Sequence, residues 1–377
     1  MRHKALIALV PLAAVSWTLA SMAFANETRP TVGAIRWDAW YGDSGPVKEV
    51  EHSLGQKKFH FRLPFFARVL GDDQVSINGD SPEIMDREIA FAAGAGLNYW
   101  AFVDYGDEGN LTIARRLYQA SPNKRGLHFC FVEDGGRLAA SGSNAWPRLI
   151  KCFKDPDYQK VLDGRPLLFV FGTPKKMGKP QFQQLSAVAN LAGLKQPYLV
   201  LMGWNPQENL KTLQALGFDA WSAYAAGGKY SGVMLPYPQL TDWERKHYWE
   251  TCQRLHIPMV TPVTTGWDTR PRIERPVSWM PNIVAEPDMT PPAQQKSLND
   301  NVTATQELLS QHIRDAIAWT QANRDINSAN AIILYAWNEN DEGGWLIPTL
   351  NSDGSTNVSR IKALQESLSA FPPASHK

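Results

Sequence analysis

The feature that most constrains the fold is an alternation, repeated eight times along the chain, of short apolar segments and segments with helical periodicity. Short apolar runs bounded by polar turns indicate buried parallel strands. Eight strand–helix units in series predict a closed (β/α)8 barrel, the TIM barrel of the α/β class, rather than an open sheet. The predicted strands are residues 32–37, 99–103, 127–132, 167–171, 198–202, 220–222, 259–263 and 331–337.

The chain is predicted to form one domain with two long loops. Its 377 residues suit a single barrel with insertions, and no linker divides them. The long loops are residues 41–80 after the first strand and 271–292 after the seventh. Both follow the carboxyl ends of strands, which is the end where α/β barrels build their active sites.

The first 25 residues are predicted to be a signal peptide, which leaves residues 26–377 as the barrel domain. Arg2 and Lys4 precede a mostly apolar segment, and Ala23-Phe24-Ala25 has the small-x-small pattern of a cleavage site. The apolar segment is short for a membrane anchor and contains Pro11. The protein is therefore predicted to be secreted or periplasmic, with no membrane attachment after cleavage.

Composition narrows the classes of partner. The formal net charge of +1 gives no electrostatic reason to expect nucleic acid binding. The 14 tryptophans instead favour a carbohydrate partner, because flat aromatic rings supply the large contact areas of binding clefts.

No cofactor and no metal ion is predicted. The sequence lacks a glycine-rich phosphate-binding fingerprint, and its histidines and cysteines lack the spacing of metal ligands. His128 and His256 are interpreted as packed or capping residues. Two alternatives stay open for the cysteines: a disulfide between Cys130 and Cys152, or three buried thiols.

Residues 331–348 carry the strongest indication of chemistry. An apolar strand ends there in Asn338, Glu339, Asp341 and Glu342. If the chain turns helically, Glu339 and Glu342 lie on one face, with Cβ atoms about 5–6 Å apart. Paired carboxyl groups at such a spacing are the catalytic groups of glycoside hydrolysis, so both are candidate catalytic residues. The alternative is a solvated acidic loop that caps a helix.

Other predicted strand ends carry aromatic and polar side chains that are candidates for substrate binding. Because all of these ends meet at one rim of a barrel, their joint position is more informative than any single residue. For Asp38, Asp104 and Glu133 the alternative is a helix cap or a surface salt bridge. The candidates are Trp37, Asp38, Trp40, Asp104, Tyr105, Glu133, Trp204, Asn205, Tyr224, Trp267, Asp268, Arg270, Asn338 and Trp345.

Two motifs resemble a known family. Residues 337–343, Trp-Asn-Glu-Asn-Asp-Glu-Gly, and residues 266–272, Gly-Trp-Asp-Thr-Arg-Pro-Arg, are similar to segments of WbsX-like proteins and of glycoside hydrolase family 99. Those proteins carry Asn-Glu-Trp-x-Glu-Gly after the last barrel strand, and the WbsX-like members carry Gly-Trp-Asp-x-x-Pro-Arg after the seventh. This chain departs from the pattern at Asn340, where Trp is usual, and carries an additional acid, Asp341.

The resemblance implies roles for the two glutamates. Glu339 matches the family 99 residue thought to act as a base on the sugar 2-hydroxyl, which forms an anhydro-sugar intermediate. Glu342 matches the general acid, which then serves as the base for water. The charge of Asp341 would raise the pKa of Glu342, as suits an acid.

Three functions are compared. The first is an exported glycoside hydrolase that cleaves an α-linked polysaccharide or glycan with retention. The second is a non-catalytic carbohydrate-binding barrel involved in polysaccharide handling, for which the departure at Asn340 is the argument. The third, a glycosyltransferase, fits an exported chain without a phosphate loop poorly, because sugar nucleotides are normally cytoplasmic donors.

Overall fold

The computed structural model describes residues 29–43, 45–226, 235–281 and 302–371. The predicted signal peptide, residues 1–25, and the second half of the predicted loop 271–292, residues 282–292, lie outside these residues, so both stay predictions. In the described part of the chain, the helices are too short or too polar to cross a bilayer.

The described chain forms the predicted barrel. Eight parallel strands lie side by side in chain order, and β1 lies between β8 and β2. The gap between β6 and β7 is bridged at one point, where Trp221 pairs with Met259. All eight predicted strands are found, and the fold class is confirmed. The strands are β1 (Thr31–Arg36), β2 (Tyr99–Asp104), β3 (His128–Asp134), β4 (Arg165–Phe171), β5 (Tyr198–Gly203), β6 (Ala220–Ala223), β7 (Thr261–Thr264) and β8 (Ala331–Tyr335).

Helices cover the outside of the barrel and several begin at residues with a side chain suited to capping. Ser81 caps α2 and accepts hydrogen bonds from the amides of Glu83 and Ile84, with Pro82 in the first turn. A π-helical turn, Arg245–Trp249, joins α8 to α9. The α-helices are α1 (Gly45–Leu54), α2 (Pro82–Gly94), α3 (Ile113–Ala120), α4 (Gly135–Ser141), α5 (Trp146–Phe153), α6 (Lys179–Leu191), α7 (Pro206–Leu216), α8 (Tyr237–Glu244), α9 (Glu250–Leu255), α10 (Arg270–Glu274), α11 (Gln306–Ala322) and α12 (Ser359–Ser369).

The barrel is filled by large side chains that need small neighbours. Gly33 of β1 stands opposite Tyr99 of β2, and a Cβ at this glycine would overlap the tyrosine ring. The absence of a side chain lets the ring cross β1, and its hydroxyl donates to the carbonyl of Ile332 in β8 at 2.9 Å. The ring therefore joins three adjacent strands across the barrel interior.

The predicted long loop after β1 is folded and packs against the loop after β8. It contains α1, a 3-10 helix Lys57–Arg62 and a hairpin of Arg68–Gly71 with Gln74–Ser76. The amide of Phe65 donates to the carbonyl of Pro348 at 3.0 Å. The loop therefore lies at the carboxyl ends of the strands, where the motif residues are.

The cysteines are three buried free thiols. The structure thus favours the second of the two alternatives for Cys130, Cys152 and Cys252. Burial raises the pKa of each thiol, which keeps the groups protonated and unreactive.

Candidate active site

The loop after β8 folds into a tight hairpin. Asn338–Glu339 pairs antiparallel with Gly344–Trp345, and Asn340–Glu342 forms one turn of 3-10 helix between them. The amide of Leu346 closes the hairpin by donating to the carbonyl of Trp337 at 3.0 Å. Side chains three residues apart in such a turn share a face, so the two glutamates of the loop point the same way.

Arg272, from α10, contacts all three carboxylates of this hairpin. Its Nε lies 2.6 Å from Asp341 Oδ2, and its Nη1 donates to Glu342 Oε1. Its Nη2 lies 3.7 Å from Glu339 Oε2. None of the four side chains is more than a tenth exposed. We call Arg272, Glu339, Asp341 and Glu342 the carboxylate cluster.

Each glutamate also accepts a hydrogen bond from a tyrosine. Tyr224, which follows β6, donates to Glu339 Oε1 at 2.7 Å. Tyr335, the last residue of β8, donates to Glu342 Oε2. Every carboxylate oxygen of the pair thus faces a donor or a cation, and both glutamates are held in fixed orientations.

The environment favours the protonated form of both glutamates. Burial raises the pKa of Glu339 well above its usual range, and the charge of Glu342 raises it further, against the opposing effect of Arg272. Burial also raises the pKa of Glu342, against Arg272 and with an added contribution from Asp341. Raised pKa values in two adjacent buried carboxyls favour a proton shared between them, so one can donate while the other accepts.

Asp268 links the loop after β7 to the loop after β1. Its carboxylate accepts hydrogen bonds from Arg270 Nε at 2.8 Å and from Arg270 Nη2 at 2.6 Å. It also accepts one from Arg62 Nη2. Although burial raises the pKa of Asp268, the two guanidinium groups more than offset this and lower it. Asp268 therefore carries a negative charge that holds two loops together.

Two glycines let the loops after β7 and β8 approach at backbone distance. Gly343 has φ +86°, and a Cβ there would overlap the backbone of Asp268. Gly266 has φ +147°, and a Cβ there would overlap the carbonyl of Gly343. The amide of Asp268 donates to the carbonyl of Glu342 at 2.6 Å. Close contact of the loops is why both motifs contain glycine.

Asn338 is fixed from beneath by buried charges. Its Oδ1 accepts from the amide of Trp37 at 2.9 Å, and its Nδ2 donates to Asp38 Oδ1 at 3.2 Å. Asp38 Oδ1 in turn accepts a hydrogen bond from Arg36 Nε at 2.7 Å. The Nη1 of this arginine lies 2.8 Å from Glu88 Oε2. Burial raises the pKa of Asp38 to about 6, against the charge of Arg36. We call Arg36, Asp38 and Glu88 the core ion cluster.

Asp104 and Glu133 stand side by side at the ends of β2 and β3 and share Arg148. Arg148 Nη2 lies 2.7 Å from Glu133 Oε1, and its Nη1 donates to Asp104 Oδ2. Burial raises the pKa of Glu133 to about 8, with a further contribution from Asp104 and opposition from Arg148. Asp104, Glu133 and Arg148 therefore form an ion network. This agrees with the salt-bridge alternative, but the two carboxylates are buried and not at the surface.

Aromatic rings surround the carboxylate cluster. Trp37 Nε1 donates to the Tyr105 hydroxyl at 2.8 Å, and the Trp37 ring lies 5.4 Å from that of Trp279. Arg272 lies over both tryptophans, at 5.4 and 5.6 Å from the ring centroids. A second group of rings forms a row at strand ends, with neighbouring centroids 4.7–5.9 Å apart: Trp204, Phe171, Tyr224, Tyr335 and Trp267.

The structure does not bring every predicted residue to the cluster. Trp40 is buried and packs edge-on against Phe66. Asn205 caps α7, where its side chain accepts from the amides of Gln207 and Glu208. Trp345 is buried beneath the hairpin, with Arg360 over its ring. A direct contact of these three with a sugar stays a prediction.

Sequence reasoning missed residues whose side chains complete the site. Arg272 lies inside one of the two motifs, but its partners Asp341 and Glu342 lie 69 and 70 residues further along the chain, so its sequence neighbours do not indicate its role. Tyr335 ends an apolar run and carried no signal, because tyrosine in a strand is typical of a core. Arg62 lies in the long loop after β1, where charged residues normally face solvent. Among the described residues, no group of three or more histidine, cysteine or acidic side chains is placed to hold a metal ion.

The fold and the strand-end carboxylates define a barrel of the type that acts on sugars in many enzymes. Residues 140–357, more than half of the chain, match the family described as glycosyltransferase WbsX, and the chain belongs to this family. No curated protein matches the chain.

Solved structures confirm the likeness to family 99 barrels. An endo-α-mannosidase of glycoside hydrolase family 99 from Bacteroides thetaiotaomicron, in complex with BIS-TRIS-propane, superimposes with a TM-score of 0.53. It is 15% identical, and the match covers 91% of this chain and 96% of that one. A second structure of a family 99 endo-α-mannosidase from this organism gives 0.52 at 14% identity, over 92% and 98% of the two chains. At this identity the likeness concerns the fold.

Proposed function

We propose that the protein is an exported glycoside hydrolase that cleaves an α-linked polysaccharide or glycan with retention, using Glu339 and Glu342. The observation that carries the proposal is the carboxylate cluster: two glutamates on one face of a turn, both within ion-pair distance of Arg272 and each oriented by a tyrosine. An acidic loop on the surface would have no need of these buried partners.

The proposed chemistry needs one proton shared between the two glutamates. The charge of Glu342 favours Glu339 as the resting place of this proton, so the reactive form is the one in which the proton has moved to Glu342, which donates it to the leaving glycosidic oxygen. Glu339, ionised, takes the proton of the sugar 2-hydroxyl as that oxygen attacks the anomeric carbon and the glycosidic bond breaks. In the second step Glu342 removes a proton from water as the water oxygen attacks the anomeric carbon and opens the anhydro ring. Glu339 returns its proton to the 2-oxygen. The raised pKa of Glu339 makes it a stronger base towards the hydroxyl.

The rings around the cluster supply sugar-binding surface in this proposal. Trp204 keeps 38% of its surface exposed, and Trp279 keeps the same fraction. Trp279 lies against Arg272, and Trp204 belongs to the row of rings whose Tyr224 and Tyr335 donate to the two glutamates. An extended glycan that contacts both rings would cross the carboxylate cluster, which favours a polymeric substrate.

The WbsX family is described as glycosyltransferases, which makes glycosyl transfer the second candidate. Transfer and hydrolysis share the acid–base pair but differ in the donor. A transferase needs an activated sugar such as a sugar nucleotide, whereas the hydrolase acts on a glycan and water alone. The non-catalytic binding barrel, favoured by Asn340, would bind oligosaccharides and release nothing.

A panel of α-glucans, α-mannans and bacterial exopolysaccharides, assayed for new reducing ends, tests the proposal. We expect release from at least one polymer without a nucleotide donor. Glu342→Gln is expected to reduce the rate about 10²- to 10⁴-fold, because it removes the general acid. Glu339→Gln should show a comparable loss, whereas Glu366→Gln, an exposed matched change on α12, should leave the rate unchanged.

The alternatives give different outcomes in the same assay. Sugar transfer only from added sugar nucleotides would support the transferase. Oligosaccharide binding by calorimetry with no reducing ends would support the binding barrel. Near wild-type rates in both single glutamine variants would remove the assignment of the catalytic pair. Export is checked separately, by locating the protein after cell fractionation and determining its N-terminal residue.

A further inference from the structure

Arg360 occupies a position that is unfavourable for an arginine. It lies in the first turn of α12, where the helix dipole disfavours a positive charge. It is only 7% exposed, and no described carboxylate lies within ion-pair distance of its guanidinium. Burial lowers the pKa of Arg360 to about 9, and the charge of Arg62 adds to this effect. Such a position requires a compensating interaction.

The compensation comes from the two motif loops. Arg360 Nη1 donates to the carbonyl of Thr265 and to the carbonyl of Trp345, both at 2.8 Å. Its guanidinium carbon lies 3.8 Å from the centroid of the Trp345 ring. Thr265 begins the loop after β7, and Trp345 pairs with Asn338 in the hairpin after β8. One nitrogen therefore joins the two loops.

Thr265, which accepts the hydrogen bond of Arg360, is connected to the proposed catalytic groups by hydrogen bonds and along the chain. The amide and the hydroxyl of Thr265 both donate to the carbonyl of Tyr335 at 2.7 Å. The hydroxyl of Tyr335 donates to Glu342. Along the chain, Thr265 is followed within seven residues by Arg272. A shift at Thr265 would therefore move both a partner of Glu342 and the cation of the carboxylate cluster.

We propose that Arg360 is a positioning residue of the active site: it holds the loops after β7 and β8 in register, so that Arg272 stays within reach of Glu339 and Glu342. The inference rests on the proposed function of that pair. Arg360 lies beyond residues 140–357, the segment that matches the WbsX family. It acts through backbone carbonyls and contacts no substrate.

Arg29 provides a matched control at the opposite end of the barrel. It too is 7% exposed, and its Nη2 donates to the carbonyl of Gly96 at 2.9 Å. No described carboxylate pairs with it, and burial lowers its pKa. Arg29 precedes β1 and contacts the segment before β2, so it lies at the amino ends of the strands. Loss of Arg29 should resemble loss of Arg360 in stability and differ from it at the active site.

The first test does not depend on activity. Hydrogen exchange monitored by mass spectrometry would compare the wild-type full chain with Arg360→Met, Arg360→Lys and Arg29→Met. In Arg360→Met we expect exchange in segments 265–272 and 338–346 to rise about tenfold, because both loops lose their shared donor. Arg360→Lys, which keeps a donor, should give a smaller rise. Arg29→Met should leave both segments as in the wild type.

The second test uses the pH dependence of glycan cleavage. Arg272 lowers the pKa of both glutamates, so a loosened Arg272 should move both limbs of the kcat/KM profile to higher pH. We expect kcat of Arg360→Met to fall about 100-fold from misplacement of the catalytic groups, with KM changed less than about threefold. Other titratable or charged side chains also contribute to this pH dependence. Among the described residues, those that face the glutamates or Arg360 are Arg272, Asp341, Tyr224, Tyr335, Tyr105, Tyr237 and Arg62.

The outcomes separate this inference from the proposed function. Unchanged exchange in both loops of Arg360→Met, or an equal rise in Arg29→Met, would overturn the positioning role. An unmoved pH profile in an active Arg360 variant would overturn it as well. If Arg360→Met does not fold, Arg360→Lys against Arg29→Met decides. A wild type that cleaves no glycan would end the hydrolase proposal, while the exchange comparison would still decide the role of Arg360 in loop register.

Discussion

The core ion cluster and the carboxylate cluster use the same components in different proportions. In the core ion cluster, Arg36 meets two acids, and Glu88 also accepts from Trp337 Nε1 at 2.7 Å and from the Tyr41 hydroxyl. In the carboxylate cluster one arginine meets three acids. The first is sealed, with Arg36 and Glu88 fully buried, whereas Glu342 keeps a tenth of its side chain exposed.

The difference teaches how to tell structural from functional buried charge in this barrel. A buried acid that is matched by cations and donors contributes to one fixed arrangement. An excess of acid over cation raises the pKa of the remaining carboxyls and leaves a proton that can be exchanged. Both clusters have more acids than cations, but the excess is larger in the carboxylate cluster, and only that cluster keeps a glutamate that is a tenth exposed.

The largest effect should separate matched Glu→Gln changes in the two clusters. Glu88→Gln removes one of the two ionic partners of a buried arginine and should lower the free energy of unfolding by about 3–5 kcal/mol. Glu342→Gln should leave stability at pH 7 unchanged or increased. The folded state raises the pKa of Glu342, so its ionised form opposes folding above the unfolded pKa, and an amide removes that penalty. Urea unfolding at pH 7 measures both, and an equal loss in the two variants would erase the distinction.

A smaller effect concerns the third acid of the carboxylate cluster. Asp341 raises the pKa of both glutamates, and it occupies Arg272 Nε. Asp341→Asn should therefore lower the pKa of Glu339 and Glu342 and move both limbs of the pH–rate profile to lower pH. The kcat/KM profile measures this shift. A profile that moves to higher pH would show that the charge of Asp341 does not control the pair.

Tyr224 tests the ionised partner of the pair. Its hydrogen bond to Glu339 favours the carboxylate form, so Tyr224→Phe should raise the pKa of Glu339 further. The alkaline limb of the profile, which reports the group of higher pKa, should move to higher pH. The rate should fall about tenfold, as expected for loss of one hydrogen bond to a charged group. A profile and a rate equal to those of the wild type would contradict the role of Glu339 as base.

The smallest effect concerns Asn205, which distinguishes capping from sugar binding. Asn205→Ala should lower the free energy of unfolding by about 1 kcal/mol through the lost cap of α7 and leave KM unchanged. Ser81→Ala, the same kind of change at the cap of α2, is the control. A raised KM in Asn205→Ala alone would restore this residue to the sugar-binding surface.

The strands could be predicted because parallel barrel strands are buried on both faces and appear as continuous apolar runs. β8 is an example, with all five residues buried. The position of Glu339 and Glu342 on one face also followed from sequence, since a three-residue spacing and a following glycine indicate a turn. In both cases the controlling physics is local in the chain.

The rest of the site could not be predicted because it depends on contacts between distant segments. Arg62 reaches the carbonyl of Asp268 across 206 residues, and Arg360 reaches Thr265 from the last helix. A single charged residue in a loop or a helix has the appearance of a surface group. Asn205 illustrates the converse, since a polar residue at a strand end is a candidate for sugar binding and a candidate helix cap alike, and only the structure shows that its side chain caps α7.

The interlocked glycines Gly266 and Gly343 have a consequence for protein engineering. Each leaves no room for a side chain because the other loop's backbone occupies the space. A chimera that imports only one of the two loops from a homologue would bring together main-chain paths that were never fitted to each other. Grafting and recombination should therefore transfer residues 265–272 and 337–346 together, from the same parent protein.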